Sequence, residues 1–318
     1  MFASGQSVRS RKALFAFLQS HRVAPITRFA PAPTGALHLG HVVNAVYVWG
    51  LARALGGRVV LRIEDHDRQR SRREFERHIL DDLDWLGLEA DEYPTTSYRQ
   101  DACDGRQSER DAIYRHALAP LTSAGLIYGC DCTRATQAAV ATGDDARGER
   151  RYSGTCRERG IPLRDGVGWR LRIEPGVEQF DDGIAGPQSQ DPSQQCGDLL
   201  LRDRLGNWTY QCVAPIDDHV QGVSMIVRGQ DLLASTGRQI RLARLISRAQ
   251  PATFVHHPLV MKSPAQKLSK SDGDSGIADL RSDGCTPDEV IARAAQLAGL
   301  TDRARVSARE LAALFADS

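Results

Sequence analysis

Two histidines flank a glycine in the segment His38-Leu39-Gly40-His41, directly after the proline-containing loop "PAPTG". The residues that follow are compatible with a helix, so the two imidazoles are expected at a helix N-terminus. Unpaired backbone amides and a partial positive charge there favour an anion, and Gly40 lets a phosphate approach the backbone closely. The segment indicates a phosphate site, with a capped helix carrying two surface histidines as the alternative.

A second group of polar residues lies far downstream, in the stretch "KLSKS" that contains Lys267, Ser269 and Lys270. Taken alone, such a run followed by glycines is typical of a solvated turn. It becomes a candidate for phosphate chemistry only if the fold brings it beside the histidines, because a lysine can balance the charge of a departing phosphate group.

A third candidate site is the pattern Cys130-Asp131-Cys132, Tyr152 and Cys156, which reads C-x-C-x19-Y-x3-C. Three thiolates and one further donor can form a tetrahedral zinc site, and C-x-C brings two sulfurs to one metal. A buried cysteine pair is the alternative, since tyrosine is an uncommon zinc ligand. Seven cysteines, unevenly spaced, do not suit a secreted disulfide framework. The others are interpreted as packing residues: Cys103, Cys196, Cys212 and Cys285.

The composition describes a globular chain, because 41% of its 318 residues are hydrophobic and 25% are charged. The 41 Lys and Arg balance 40 Asp and Glu, so any RNA contact must come from a local patch. The N-terminal apolar run at 13–18 is too short to span a bilayer and lacks a cleavage signature. We therefore expect a cytoplasmic protein with no membrane partner.

The hydrophobic pattern predicts the elements that must position these residues. Residues 26–30 form an apolar run before the loop, a helical segment follows, and "RVVLRIED" reads as a buried strand, so a βαβ unit is expected. Further helices are predicted along the apolar stripe from Phe75 to Leu86, at 109–125 and at 239–249. The arginines in and just before the last helix are interpreted as its solvated face: Arg238, Arg241, Arg244 and Arg248.

The combination of "RFAPAPTGALHLGH", "RIEDHD" and "KLSKS" resembles the class I aminoacyl-tRNA synthetases, specifically their glutamyl branch. The resemblance implies an α/β, Rossmann-type fold with a parallel sheet, in which the histidines and the lysine loop form two halves of a site for ATP with Mg²⁺. The implied ATP-binding residues are His38, Gly40, His41, Lys267, Ser269 and Lys270. His38, His41 and Lys270 would be catalytic, with Lys270 neutralising charge on the departing pyrophosphate.

The same resemblance implies a pocket for L-glutamate. Its residues would be Arg28, Ala30, Thr34, Glu64, Tyr210 and Arg228. Arg28 would take a substrate carboxylate and Glu64 the α-amino group, because a substrate with two carboxylates and one ammonium needs separated opposite charges. Taken singly, each arginine could also be a surface ion-pair partner, and Tyr210 a core ring.

The sequence departs from the family pattern at two positions, neither of which is assigned to the chemistry. The family's valine-rich strand reads "CVAPIDD" here, so Pro215 would remove a ladder donor unless that strand lies at an edge or a bulge. Gln230 replaces the acid of the family's "RGEDLL" motif, which leaves the substrate preference around it open.

The cysteine pattern, with "CTRA" after the pair, is similar to the zinc module of the short glutamyl-tRNA synthetase paralogues. This implies one structural Zn²⁺ held by Cys130, Cys132, Tyr152 and Cys156. Few residues follow the lysine loop, so we expect a short helical C-terminal part and no anticodon-binding domain. The expected organisation is an N-terminal extension (1–24), two catalytic halves (25–105 and 201–262) around a zinc-containing insertion (106–200), and the lysine loop with the helical C-terminal part (263–318).

The short paralogues activate glutamate with ATP and transfer it to queuosine in the anticodon loop of tRNA(Asp), and the resemblance implies this activity here. The implied partners are ATP, L-glutamate and tRNA(Asp) carrying queuosine, for a monomeric protein that binds no DNA. One alternative is a truncated synthetase that charges the 3′ end of tRNA(Glu) or tRNA(Gln). The other is a non-catalytic RNA-binding or amino-acid-sensing module.

Overall fold

The computed structural model describes residues 9–21, 23–133, 135–136, 151–263, 266–267 and 276–316. The described helices are α1 (Arg11–Gln19), α2 (Leu39–Ala54), α3 (Arg73–Leu86), α4 (Thr95–Arg99), α5 (Asp111–Ser123), α6 (Pro192–Gln195), α7 (Tyr210–Val220), α8 (Thr236–Leu245), α9 (Ile277–Ser282), α10 (Pro287–Leu297) and α11 (Ala313–Ala316). The described strands are β1 (Ile26–Phe29), β2 (Arg58–Leu61), β3 (Ile127–Cys130), β4 (Gly168–Leu171), β5 (Glu178–Asp182), β6 (Gly186–Gln190), β7 (Leu199–Arg202), β8 (Met225–Gly229), β9 (Thr253–His257), β10 (Met261–Ser263) and β11 (Gln266–Lys267). Within these ranges, no helix combines the length and the apolar character that a membrane span requires.

The predicted βαβ unit forms the centre of the molecule. Strands β1 and β2 pair in parallel, with Ile26 opposite Arg58, and α2 connects them. Almost every side chain of α2 from Val42 to Ala52 is buried, because the sheet covers one side of the helix while α10 and α11 cover another. A helix enclosed in this way has a fixed axis, so the residues at its N-terminus are held rigidly.

The other half of the sheet lies beside this unit. Its strand order is β6-β5-β9-β8, with β8 and β9 parallel and Arg228 opposite His256. Strand β1 runs next to β8, where the Ser224 amide donates to the Ile26 carbonyl at 2.8 Å. The carboxyl ends of β1, β2, β8 and β9 therefore meet at one edge, where parallel α/β sheets bind their ligands.

A separate antiparallel sheet in the order β3-β4-β7 is formed by strands between residues 127 and 202. Its buried Leu171 and Leu201 share a core with Tyr114 of α5 and Ile216 of α7. Helix α5 occupies the region in which a helix was predicted at 109–125. Strand β3 ends at Cys130, so this sheet carries the start of the cysteine pattern.

The prediction of a strand at "CVAPIDD" is wrong, because these residues lie in α7 with Pro215 inside the helix. Cys212, Val213 and Ile216 recur at helical spacing and are fully buried. This continuous apolar face stabilises the helix, although the proline removes one helical N–H donor.

The helix predicted at 239–249 forms as α8, but the interpretation of its arginines as a solvated face is wrong for two of them. Arg238 and Arg241 are only 3% and 8% exposed. Arg241 pairs with the buried carboxylate of Glu178 in β5. The neighbouring strand places an acid against α8, and a buried acid requires a cation beside it.

Candidate functional site

The two histidines lie at the N-terminus of α2, where they cap the helix. Nδ1 of His38 accepts from the Gly40 amide at 3.0 Å, and Nδ1 of His41 accepts from the His38 amide at 3.2 Å. Because both Nδ1 atoms accept, Nε2 carries the proton in each neutral ring and can donate. A Cβ at Gly40 would lie 2.9 Å from the His38 ring, so the cap itself requires the glycine.

A cavity of about 180 Å³ opens in front of this helix N-terminus. It is lined by α2 and by the ends of β8 and β9, through His38, Gly40, His41, Asn44, Gly229, Asp231, His257 and Val260. A helix N-terminus and the carboxyl edge of a parallel sheet meet at this cavity. That arrangement binds the phosphates of nucleotides in α/β proteins.

The chain on both sides of the lysine loop borders the same cavity. Val260 lines it shortly before β10, and Gly276 pairs with His38 at the other end of the loop. Lys267 lies in β11, whereas Ser269 and Lys270 lie outside the described residues. The role of Lys267, Ser269 and Lys270 in an ATP site therefore stays a prediction.

A chain of buried charges underlies the predicted glutamate pocket. Asp218 accepts from Arg28 Nε at 3.0 Å and from Arg62 Nη1 at 2.8 Å, and Arg62 Nη2 donates to Glu64 at 3.0 Å. Although burial opposes ionisation, the two guanidinium groups hold the pKa of Asp218 below its usual value. Sequence analysis missed Arg62 and Asp218; the spacing of Arg62 and Glu64, which places both on one face of an extended chain, was the available signal.

Arg228 is 4% exposed, yet none of the described residues offers it a carboxylate in direct contact. Its guanidinium donates only to neutral acceptors, namely His256 Nε2 at 3.0 Å, Tyr210 Oη at 3.3 Å, Gln239 Oε1 at 2.6 Å and Thr236 Oγ1 at 2.9 Å. A buried cation without an anion beside it is costly, so the site is suited to an anionic ligand.

Asp182 determines which nitrogen of His256 can accept a hydrogen bond. Sequence analysis also missed this aspartate. Asp182 Oδ2 lies 2.6 Å from Nδ1 of His256, and both side chains are fully buried. Burial lowers the pKa of His256 to about 4, aided by the nearby charge of Arg228. The ring is therefore neutral near pH 7, donates from Nδ1 to Asp182 and accepts the Arg228 hydrogen at Nε2.

The remaining predicted pocket residues, Ala30 and Thr34, lie in the loop after β1, with Ala30 half-buried and Thr34 exposed. The Glu64 amide donates to the Pro31 carbonyl of this loop at 3.0 Å, so the loop borders the charged chain. Arg28 lies beside β8, which carries Arg228. Whether Ala30 and Thr34 contact a substrate stays a prediction.

Three cysteines and Tyr152 converge at the end of β3. The three sulfurs lie within 4.8 Å of one another, with Cys132 Sγ 3.4 Å from Cys156 Sγ, and Tyr152 Oη is 3.5 Å from Cys130 Sγ. A tetrahedral zinc with ligand bonds of about 2.0–2.3 Å separates its ligands by about 3.3–3.8 Å, so this donor set fits the ion. Arg159 donates to Cys156 Sγ at 3.4 Å and would offset part of the thiolate charge.

Comparison with known proteins places residues 25–314 in the family described as tRNA synthetases class I (E and Q), catalytic domain. A protein named Glutamyl-Q tRNA(Asp) synthetase from Symbiobacterium thermophilum is 42% identical over 287 residues, which cover 87% of each chain. Another of that name, from Bordetella bronchiseptica, is 45% identical and covers 80% of this chain and 77% of its own.

Among solved structures, a glutamate tRNA ligase from Elizabethkingia meningosepticum, determined in complex with its amino acid, superimposes with a TM-score of 0.73 at 26% identity. The superposition covers 91% of this chain. The chain spans 64% of the length of that ligase.

Proposed function

Because the chain belongs to the catalytic-domain family of the class I (E and Q) tRNA synthetases, we propose that it activates L-glutamate as glutamyl-adenylate and transfers it to queuosine in tRNA(Asp). It is an aminoacyl-tRNA synthetase-like ligase whose α/β domain contains a parallel sheet, as the sequence predicted. The queuosine of the anticodon loop is proposed as acceptor because of the name that relatives at 42% and 45% identity carry.

The buried guanidinium of Arg228 is the main observation that supports glutamate as the proposed substrate. The two carboxylates of glutamate need two cations, and Arg28 would be the second. Its Nε and Nη1 donate to Asp218 and to the Val227 carbonyl, whereas its Nη2 has no partner among the described residues. Glu64, held by Arg62, is proposed to take the substrate ammonium. Two guanidinium groups and one acid at the same edge match the charges of glutamate.

Activation requires positioning and electrostatic stabilisation more than covalent chemistry. An oxygen of the substrate α-carboxylate attacks the α-phosphorus of ATP, and the bond to pyrophosphate breaks. His38 and His41 are proposed to donate from Nε2 to the phosphoryl oxygens, and Lys270, with Lys267 and Ser269 in the same loop, to balance the departing pyrophosphate. Mg²⁺ bound with ATP would screen the triphosphate charge.

A second candidate is charging of the 3′ end of tRNA(Glu) or tRNA(Gln), which the likeness to the Elizabethkingia ligase favours. Incubation with ATP, labelled glutamate and tRNA(Asp) with or without queuosine separates the two. We expect nuclease mapping to place the label on the queuosine nucleotide, and only in queuosine-containing tRNA. Label on the terminal adenosine, or labelling of tRNA(Glu) alone, would contradict the queuosine proposal.

We also propose that the insertion at 106–200 holds one structural zinc through Cys130, Cys132, Tyr152 and Cys156. Metal binding to such a set supplies folding energy, because the ligands come from separate segments of the chain. When bound, the ion would join the end of β3 to the segment around Cys156, which follows residues 137–150 in the sequence.

Protein purified without chelator is expected to contain about one zinc per chain by elemental analysis. Cys130→Ser should lose most of it and lower the midpoint of thermal unfolding, because one ligand is gone. Cys285→Ser is the matched control, since Cys285 lies outside the cluster and should leave the zinc content unchanged. A metal-free wild-type protein would reject the zinc proposal.

A further inference from the structure

His66 extends a row of side chains that begins in the buried charge network. Arg62, Glu64 and His66 follow β2 at two-residue spacing, and Arg62 Nη2 donates to Glu64 at 3.0 Å. Arg62 is fully buried, Glu64 is 8% exposed and His66 is half-buried. The row therefore runs from beneath the proposed glutamate pocket to its rim, and His66 is the member nearest solvent.

A chain of hydrogen bonds determines which nitrogen of His66 carries the proton. The buried Asp217 accepts from Arg110 Nε at 2.8 Å, from Tyr114 Oη at 3.0 Å and from Gln107 Nε2 at 2.8 Å. Because the amide nitrogen of Gln107 faces Asp217, its Oε1 faces His66, at 2.6 Å from Nδ1. Nδ1 must then be the donor, and Nε2 of the neutral ring carries a lone pair.

The His66 ring lies close to the proposed site. The His66 ring centre is 6.4 Å from the ring centre of Tyr210, whose hydroxyl accepts from Arg228. Within the described part of the chain, nothing bonds to Nε2 of His66. Glu64 lies deeper and is proposed to bind the substrate ammonium. His66 at the rim is therefore available to accept a proton from the RNA hydroxyl, which enters after activation.

We propose that His66 is the general base of the transfer step, an inference that rests on the proposed function. An RNA hydroxyl would attack the carbonyl carbon of glutamyl-adenylate, forming the new C–O ester bond. The bond from that carbon to the phosphate oxygen breaks, and AMP leaves with the electron pair. The hydroxyl proton passes to Nε2 of His66 and then to water, while Gln107 holds the ring through Nδ1.

Single-turnover transfer from preformed enzyme-bound adenylate to tRNA tests this role. His66→Ala should lower the transfer rate constant about 100-fold, a typical contribution of a general base. Glutamate-dependent pyrophosphate exchange should fall less than about threefold, because activation needs no base at this position. Added imidazole should restore transfer in His66→Ala but not in His66→Gln, whose side chain fills the space; a purely structural role would give no such rescue.

His78→Ala is the matched control, because His78 is an exposed histidine of α3 and should retain both activities. Equal losses of exchange and transfer in His66→Ala would place the residue in activation and overturn the inference. Unchanged transfer, or a loss without imidazole rescue, would also overturn it. Absence of glutamate-dependent exchange in the wild-type protein would instead refute the proposed function, so the two failures are distinguishable.

Discussion

Replacing Arg228 by glutamine is expected to lower kcat/KM for glutamate in pyrophosphate exchange about a thousandfold, the equivalent of about 4 kcal/mol. Among the residues that the structure describes, the buried guanidinium bonds only to neutral groups, so a substrate carboxylate would supply the counter-charge that these groups do not. Glutamine keeps a donor but removes the positive charge, and the carboxylate would then be buried without compensation.

The effect of Arg228→Gln should appear in the KM for glutamate and leave the KM for ATP within about threefold, because the proposed nucleotide site lies towards α2. Steady-state exchange at varied concentrations of each substrate measures both values. Arg204→Gln is a suitable control, since Arg204 is exposed and donates to the Gly166 carbonyl in the insertion. An unaltered KM for glutamate in Arg228→Gln would show that Arg228 does not bind the substrate.

Asp218→Asn is expected to lower the free energy of unfolding by about 3–5 kcal/mol. The carboxylate is 2% exposed and neutralises Arg28 and Arg62 together, at 3.0 and 2.8 Å. The amide has nearly the same shape but no charge, so Arg28 would lose its carboxylate, and Arg62 would retain the partial compensation that Glu64 and the nearby Asp217 give it.

Urea denaturation at neutral pH measures the effect of Asp218→Asn. The control is Asp181→Asn, which weakens a partly exposed pair with Arg9 and should cost less than about 1 kcal/mol. Equal stability losses in the two variants would mean that burial does not strengthen the Asp218 network. A folded Asp218→Asn protein should also bind glutamate more weakly, because Arg28 loses one of its anchors.

Features within one short segment could be predicted from the sequence. The loop "PAPTG" followed by a helix placed His38 and His41 at the start of α2, and the apolar runs on either side defined the βαβ unit. The cysteine pattern anticipated the convergence of Cys130, Cys132 and Cys156. In each case residue type and spacing act locally, through capping, alternation and turn chemistry.

Partnerships between buried charges that are distant in the sequence were decided by the tertiary structure alone. Asp218 meets Arg28 from 190 positions away, and Asp182 meets His256 from 74 positions away. Arg241 of α8 looks solvated in the sequence because nothing nearby reveals that β5 places Glu178 against it. A charge in the interior is costly without a counter-charge beside it, and which segments supply the pair is known only when the strands have taken their order.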